Sequence, residues 1–225
     1  MKEFIVTVDG PAGSGKSTIA KIVAAKYGFT YLDTGAMYRM IALYALENNV
    51  KLEDEKSVEK MLENTKLDIV ENKFFLNGRD VSEKIRTPEV SGVVSPVAAI
   101  KAVRVKLVEL QREISKGKKT ILDGRDIGTV VFPNAQVKIF LVASPEERAR
   151  RRLNEYKEKG IEADFEFVIK SIKERDHIDS TRKESPLIKA EDAIEIDSSV
   201  MTIEEVVQII SDCIDRKVKK CCTMS

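Results

Sequence analysis

The 225-residue sequence has no tryptophan, a single histidine (His177) and three cysteines, all near its C-terminal end. The cysteines lack the spacing of a zinc site, and an odd number with two adjacent favours reduced thiols. No signal peptide and no apolar stretch long enough to span a bilayer are found. The 38 Lys and Arg residues balance 37 Asp and Glu residues, which argues against a nucleic-acid or membrane-binding surface. We expect a cytoplasmic protein without those partners.

The last four residues, CTMS, match the C-a-a-X lipidation pattern superficially, and the basic stretch KVKK lies just upstream. Thr223 is not aliphatic, however, and four-residue matches arise easily by chance. A frayed tail over residues 219–225 is therefore favoured over a lipid anchor.

The stretch GPAGSGKST fits the phosphate-binding pattern G-x-x-x-x-G-K-[ST]. A strand-like run, Phe4 to Val8, precedes it, and a helix-like run, Thr18 to Ala25, follows it. Glycines let such a loop turn its N–H groups inward, and the helix directs its positive end at the same place. We therefore predict a triphosphate site, with Lys16 on the β- and γ-phosphates and Ser17 on Mg²⁺; a glycine-rich turn with a solvated lysine is the alternative. The predicted triphosphate-binding residues are Gly10, Pro11, Ala12, Gly13, Ser14, Gly15, Lys16, Ser17 and Thr18.

Further strand-like runs alternate with helical patterns, which predicts a parallel sheet covered by helices on both faces. With 43% hydrophobic and 33% charged residues, the chain has the balance of a globular protein with a substantial core. Ser144 and Thr202 each stand where a residue capping a helix start is expected. The later predicted strands are Phe29 to Leu32, Lys119 to Leu122, Gln136 to Val142 and Ala193 to Ile196.

Two regions depart from this alternation. Residues 67–82, LDIVENKFFLNGRDVS, alternate polar and apolar side chains around Asn77-Gly78, which predicts an antiparallel hairpin or meander. Because it interrupts the core, it is predicted to be an inserted lobe that holds a second substrate. The charged segment from Arg148 to Arg182 is predicted to be a mobile cover, with a solvated helical hairpin as the alternative.

Four more stretches carry arginine beside small polar or acidic residues: DTGAMYR, SPVAAIKAVR, DGRDIGTVVFP and ERDHIDSTR. Arg39 and Arg125 follow predicted strand ends, the edge where open α/β sheets bind ligands. The planar guanidinium suits phosphate oxygens. Phosphoryl transfer needs aligned phosphates, neutralised charge and excluded water, so His177 is not required as a base.

Together, GPAGSGKST, DTGAMYR, DGRDIGTVVFPNA and ERDHIDSTRKESPL resemble the motifs of bacterial-type cytidylate kinases, with only the CCTMS end outside the resemblance. The resemblance implies an α/β, P-loop nucleoside monophosphate kinase fold. This fold has a five-stranded parallel sheet flanked by helices, a small inserted antiparallel β lobe at about 36–105 and a helical lid at about 148–182. The whole chain, 1–225, would be one kinase domain. It would act as a cytoplasmic monomer and move the γ-phosphate of ATP, with Mg²⁺, to CMP or dCMP, giving ADP and CDP or dCDP.

The resemblance also implies which residues bind the acceptor. The CMP phosphate is expected to contact three arginines and a hydroxyl, namely Arg39, Arg125, Arg182 and Thr34. Cytosine is expected to contact Ser95, Arg104 and Asp126, and a carboxylate suits its amino group while donors suit its O2 and N3. The pentose is expected to contact Arg175 and Asp179. These two lie four positions apart, so a surface ion pair within a helix is the alternative.

Catalytic and metal roles follow from the same resemblance. One or more of Arg148, Arg151 and Arg152 should reach the transferring phosphate. Asp123 is expected to orient Mg²⁺ together with Ser17. The candidate catalytic residues are Lys16, Arg125, Arg182 and Arg152.

Three other kinds of protein share the first loop. A GTPase switch would need N-K-x-D, but Asn72-Lys73 is followed by Phe74-Phe75. A shikimate-type small-molecule kinase has no reason to keep the residues that read a pyrimidine. A nucleic-acid-dependent ATPase is disfavoured by the balanced charge.

Overall fold

The computed structural model describes residues 3–70, 73–158 and 160–223. Strands and helices alternate through much of the chain, and a single π-helical turn, Ile127–Val131, follows the sixth strand. In chain order the elements are β1 (Phe4–Asp9), α1 (Lys16–Tyr27), β2 (Thr30–Asp33), α2 (Thr34–Glu47), α3 (Glu55–Glu63), β3 (Leu67–Val70), β4 (Lys73–Leu76), β5 (Arg79–Asp80), α4 (Pro88–Ala99), α5 (Lys101–Ser115), β6 (Lys119–Gly124), β7 (Val137–Val142), α6 (Pro145–Glu158), α7 (Phe165–Thr181), β8 (Ile194–Asp197) and α8 (Ile203–Thr223).

The chain divides into two compact units, the first formed by residues 1–32, 115–181 and 185–225 and the second by residues 33–114 and 182–184. The predicted boundaries, a lobe at 36–105 and a lid at 148–182, stay a prediction. The tail predicted at 219–225 overlaps the end of α8, and residues 224–225 lie outside the described part of the chain, as does Asn72.

A five-stranded sheet in the order β2-β6-β1-β7-β8 forms the centre of the first unit. β1 pairs in parallel with β6 and β7, and all six of its residues are buried. Such continuous burial is typical of a central parallel strand. Apolar residues of α1 and α8, among them Val23 and Ile210, pack with Val6 and Ile139 of the sheet in one core. The predicted α/β fold with a five-stranded parallel sheet is confirmed.

The capping residues predicted from the sequence, Ser144 and Thr202, stand at the starts of α6 and α8. The Ser144 hydroxyl accepts a hydrogen bond from the N–H of Glu147 at 3.2 Å, and α6 begins at Pro145. Thr202 and Glu205 form a reciprocal capping box before α8, with hydrogen bonds of 2.8 and 3.2 Å. Both starts agree with the prediction because a cap depends on residues within one turn.

The second unit contains α2 to α5 and a three-stranded antiparallel sheet, β3-β4-β5. Asn77 and Gly78 connect β4 to β5 with φ angles of 51° and 79°, the left-handed pair that a tight hairpin turn requires. The predicted antiparallel meander is therefore present. Asp33 begins α2 by accepting a hydrogen bond from the N–H of Ala36 at 2.9 Å.

α6 and α7 form a helical hairpin that shares its own small apolar cluster, built around Ala149, Val168 and Ile172. A helical hairpin agrees with both interpretations of this segment, so the mobile cover stays a prediction. His177, which the sequence does not require as a base, is exposed on α7. Across residues 3–70, 73–158 and 160–223, no helix combines the length and apolar character that crossing a membrane requires.

Candidate functional site

The loop between β1 and α1 is shaped to bring backbone N–H groups to the start of the helix. Gly10 has a φ of 154°, and a Cβ at this position would lie 2.0 Å from the carbonyl oxygen of Leu141. Gly15 adopts a left-handed conformation, with φ 88°, directly before α1 begins at Lys16. Glycine meets both demands, close approach and positive φ. Inward N–H groups and the positive helix end together form an anion-binding site.

Lys16 lies at this site and is 6% exposed. Its ammonium donates a hydrogen bond across the loop to the carbonyl oxygen of Pro11 at 3.0 Å. A buried, flexible ammonium beside the loop N–H groups is placed to neutralise phosphate charge.

Ser17 and Asp123 meet although 106 positions separate them in sequence. The Ser17 hydroxyl donates to Asp123 Oδ2 at 2.6 Å, and the Tyr31 hydroxyl donates to Asp123 Oδ1 at 2.7 Å. Asp123 ends up here because β6, which carries it, pairs with β1, which leads into the loop. A serine hydroxyl and one carboxylate are hard oxygen ligands of the kind that bind Mg²⁺ together with substrate phosphates.

Of the three candidate arginines on α6, Arg148 and Arg151 hold the loop itself. Arg148 donates to the carbonyl oxygens of Ala143 at 2.9 Å and Ala12 at 3.2 Å, and binds both carboxylate oxygens of Asp176 at 3.0 and 2.7 Å. Arg151 donates to the carbonyl oxygen of Ser14 at 3.3 Å.

Arg152 differs from both. Its side chain is 26% exposed, and its guanidinium lies 3.4 Å from Glu155, a residue that is itself 56% exposed. Such a pair is weak because water screens it. Arg152 is therefore held less firmly than Arg148 or Arg151.

The turn after β6 carries Arg125 and Asp126. Arg125 directly follows the strand, as predicted, and its Nε donates to Asp179 Oδ2 at 2.9 Å. Arg175 is farther from the same oxygen, at 4.0 Å. Asp179 is 3% exposed, so it does not lie at the surface as the alternative of a surface ion pair with Arg175 required. Its carboxylate lies closer to Arg125 than to Arg175.

Asp9, at the end of β1, faces the same turn. It accepts hydrogen bonds from the N–H groups of Ile127 at 2.9 Å and Gly128 at 2.7 Å. Burial raises the pKa of Asp9 to about 7, and the nearby Asp126 carboxylate adds to the rise, while the two N–H groups and Lys16 oppose it.

The second unit contains five of the other predicted residues. Arg39, on α2, donates to Ser91 Oγ at 2.8 Å, and Ser95 lies one turn farther along α4. The Arg104 guanidinium stacks 5.4 Å above the ring of Tyr38, the neighbour of Arg39. Thr34 opens α2 and is 2% exposed. Arg182 is 9% exposed and belongs to this unit as well.

Two residues at the site were not predicted from the sequence. An aromatic residue such as Tyr31 in a strand normally indicates core packing, so nothing pointed to its hydroxyl. Asp9 could have been predicted from the sequence, because an acidic residue at the end of an apolar strand, immediately before the phosphate-binding loop, is unusual unless it has a partner.

Comparisons with known proteins agree with these features. The sequence profile of the cytidylate kinase family matches residues 6–216. A cytidylate kinase of Fusobacterium nucleatum subsp. nucleatum is 62% identical over 216 residues, covering 96% of this chain and 99% of the relative. A cytidylate kinase of Carboxydothermus hydrogenoformans is 53% identical over 216 residues, covering 94% and 97%.

Among solved structures, a gluconokinase from Sinorhizobium meliloti 1021 matches with a TM-score of 0.50 and 13% identity, over 100% of this chain and 99% of the other. At this identity the likeness concerns the fold alone. It supports the predicted P-loop kinase fold.

Proposed function

The chain belongs to the cytidylate kinase family, and on that basis we propose that it transfers the γ-phosphate of ATP to CMP or dCMP, giving ADP and CDP or dCDP. It is a kinase of the nucleoside monophosphate class. The observation that carries the proposal is the glycine-rich loop before α1, where Lys16 is held on the Pro11 carbonyl oxygen and Ser17 donates to Asp123.

On the donor side, the loop N–H groups and Lys16 bind the β- and γ-phosphates of ATP. Ser17 and Asp123 would hold Mg²⁺, and the Tyr31 hydroxyl, which donates to Asp123 Oδ1, would fix the direction of the carboxylate. Bound Mg²⁺ would neutralise charge on the β- and γ-phosphate oxygens. Among the described residues, no cluster of three or more His, Cys, Asp or Glu side chains that could hold a metal ion is found.

On the acceptor side, we assign each predicted residue by its family motif and by its own surroundings. The CMP phosphate is bound by Arg39, Arg125, Arg182 and Thr34, cytosine by Ser95, Arg104 and Asp126, and the pentose by Arg175 and Asp179. Most of these side chains are buried. Guanidinium groups suit the oxygens of a phosphate, and a carboxylate suits the amino group of cytosine.

The chemistry needs no general base, because the attacking oxygen of the acceptor phosphate is already anionic. The chain's task is to bring the two phosphates into line and neutralise their charge. Lys16 and the loop hold the donor, Arg125 and Arg182 hold the acceptor, and Arg152 turns toward the transferring phosphoryl group.

These assignments predict that replacing Arg152 lowers kcat, whereas replacing Arg148 lowers the melting temperature. Arg152→Met should lower kcat about tenfold or more while leaving the melting temperature within about 2 °C, because its pair with Glu155 is exposed. Arg148→Met should lower the melting temperature by several degrees, since it removes hydrogen bonds to Ala12, Ala143 and Asp176. Thermal unfolding and steady-state kinetics on both variants measure this. A stable Arg148→Met protein, or an Arg152→Met enzyme with unchanged kcat, would contradict the assignment.

Base choice is predicted to depend on Asp126. Its carboxylate can accept from the cytosine amino group, whereas UMP presents a carbonyl oxygen there. Asp126→Ala should therefore reduce kcat/KM for CMP by about a hundredfold and that for UMP by much less. Asp126→Asn should behave in the same way. Equal losses for both nucleotides would remove Asp126 from base recognition.

The activity itself is tested by coupled ADP release with CMP, dCMP, UMP, AMP, GMP and shikimate in parallel. We expect CMP and dCMP to be the preferred acceptors. Preference for shikimate or for a purine nucleotide would overturn the proposal.

We also propose that the enzyme is a cytoplasmic monomer acting on free nucleotides, without nucleic acid or membrane partners. The net charge of +1 supports the absence of nucleic-acid and membrane partners. Size-exclusion chromatography with light scattering should give the 25.3 kDa mass of one chain.

A further inference from the structure

The Asp9 carboxylate links the strand before the phosphate-binding loop to the turn that carries Arg125 and Asp126. Its two oxygens accept separate hydrogen bonds, from Ile127 N–H at 2.9 Å and from Gly128 N–H at 2.7 Å. These are the first two residues after Asp126, and the turn closes back on Asp126, whose carbonyl oxygen accepts from Val130 N–H at 2.8 Å. The Asp9 carboxylate therefore holds the turn from outside, through the N–H groups of Ile127 and Gly128.

The turn is also pressed directly against β1. A Cβ added to Gly128 would lie 2.9 Å from Thr7 Oγ1, 3.3 Å from Asp9 Oδ2 and 3.3 Å from Lys138 Cδ. Contacts this short leave the backbone little room to shift without moving its neighbours. Gly128 is needed here for close approach.

A buried carboxylate at this position is unfavourable for folding stability, because the charged group loses its hydration. Asp9 is 5% exposed, and burial raises its pKa from 3.8 to about 7. An uncharged side chain would avoid that desolvation. An ionised carboxylate, however, accepts from both N–H groups at once, which an amide cannot do with equal strength.

We propose that Asp9 is a positioning residue for acceptor recognition, which holds the turn after β6 so that Asp126 and Arg125 keep a fixed direction relative to the phosphate-binding loop. Asp9 itself does not touch a substrate. The inference rests on the proposed function, because it acts through the base-reading role assigned to Asp126.

The test compares Asp9→Asn with Thr7→Val. The Asn side chain keeps the shape of Asp but offers only one acceptor atom. Thr7 lies on the same strand against the same Gly128, and its hydroxyl has no hydrogen-bond partner among the described residues, so Thr7→Val is a matched control. For Asp9→Asn we expect kcat/KM with CMP to fall about tenfold or more, the CMP-to-UMP ratio of kcat/KM to fall with it, and KM for ATP to change less than about twofold.

A purely structural role would give another result. Asp9→Asn would then lower the melting temperature and reduce CMP and UMP use equally, and that outcome would overturn the proposal. Thr7→Val should match the native enzyme in kcat/KM for CMP and in the CMP-to-UMP ratio of kcat/KM. If it loses selectivity as well, the effect belongs to packing on β1 and Asp9 has no separate role.

One further variant keeps the proposal testable if Asp9→Asn folds poorly, and a double variant tests the dependence on Asp126. Gly128→Ala leaves Asp9 intact but pushes the turn off the carboxylate, so it should reproduce the loss of CMP selectivity. Asp9→Asn combined with Asp126→Ala should have the same CMP-to-UMP ratio of kcat/KM as Asp126→Ala alone, because both changes act on base selectivity through Asp126. A further fall of that ratio in the double variant would overturn the proposal. A native enzyme that does not use CMP would instead refute the proposed function.

Discussion

Lys16→Ala is expected to fold like the native protein and to lose about a hundredfold to a thousandfold in kcat. Lys16 is 6% exposed, and its ammonium lies on the Pro11 carbonyl oxygen at 3.0 Å, inside the loop that should hold the triphosphate. Charge that develops on the transferring phosphoryl group would lose a positive partner in a site shielded from water, where such a contact contributes several kcal/mol. The fold should survive because α1 packs through Ile19, Ala20 and Val23.

Lys26→Ala provides the matched control for this variant. Lys26 lies in the last turn of the same helix, far along α1 from the loop, and donates to Ser211 Oγ at 2.9 Å. Its removal changes the net charge equally and should leave kcat unchanged. Near-native turnover by Lys16→Ala, measured by ADP release at saturating ATP and CMP, would mean that this loop is not catalytic.

The sequence predicts the sheet, the caps and the phosphate-binding loop because each depends on neighbouring residues. Thr202 and Glu205 cap α8 within one turn, and the Asn77-Gly78 turn needs only its own φ angles. The observed ends of some strands, such as β2 and β8, differ from the predicted ends by one or two residues, because no local rule fixes where strand pairing stops.

The contacts that define the site join distant parts of the sequence, so patterns cannot supply them. Asp123 reaches Ser17 through the pairing of β6 with β1, and Asp9 reaches Gly128 across a separation of 119 positions. The same limit applies to α6. Arg148, Arg151 and Arg152 occupy one helical face by spacing alone. Their hydrogen bonds to the carbonyl oxygens of Ala12 and Ser14 show that the first two bind the loop, and the substrate role of Arg152 stays a prediction.

Asp179→Ala is expected to impair both stability and acceptor use, because the structure ties this carboxylate to Arg125. Its Oδ2 lies 2.9 Å from Arg125 Nε and 4.0 Å from Arg175 Nε, and both the Asp179 and Arg125 side chains are largely buried. Removing one partner of a buried ion pair leaves an uncompensated charge, which costs about 3 kcal/mol or more. A change in stability therefore cannot by itself distinguish an ion pair from a sugar contact.

The discriminating measurement is the response to the 2′-hydroxyl. If Asp179 binds the pentose, Asp179→Ala should reduce kcat/KM by different factors for CMP and dCMP, because only CMP carries that hydroxyl. If Asp179 only orients Arg125, both nucleotides should lose the same factor, since they share the phosphate that Arg125 binds. His177→Ala, two positions away on the exposed face of α7, is the control and should change neither unfolding nor kinetics. Equal losses for CMP and dCMP, together with an unaffected control, would remove Asp179 from the sugar site and leave it as the residue that holds Arg125 in place.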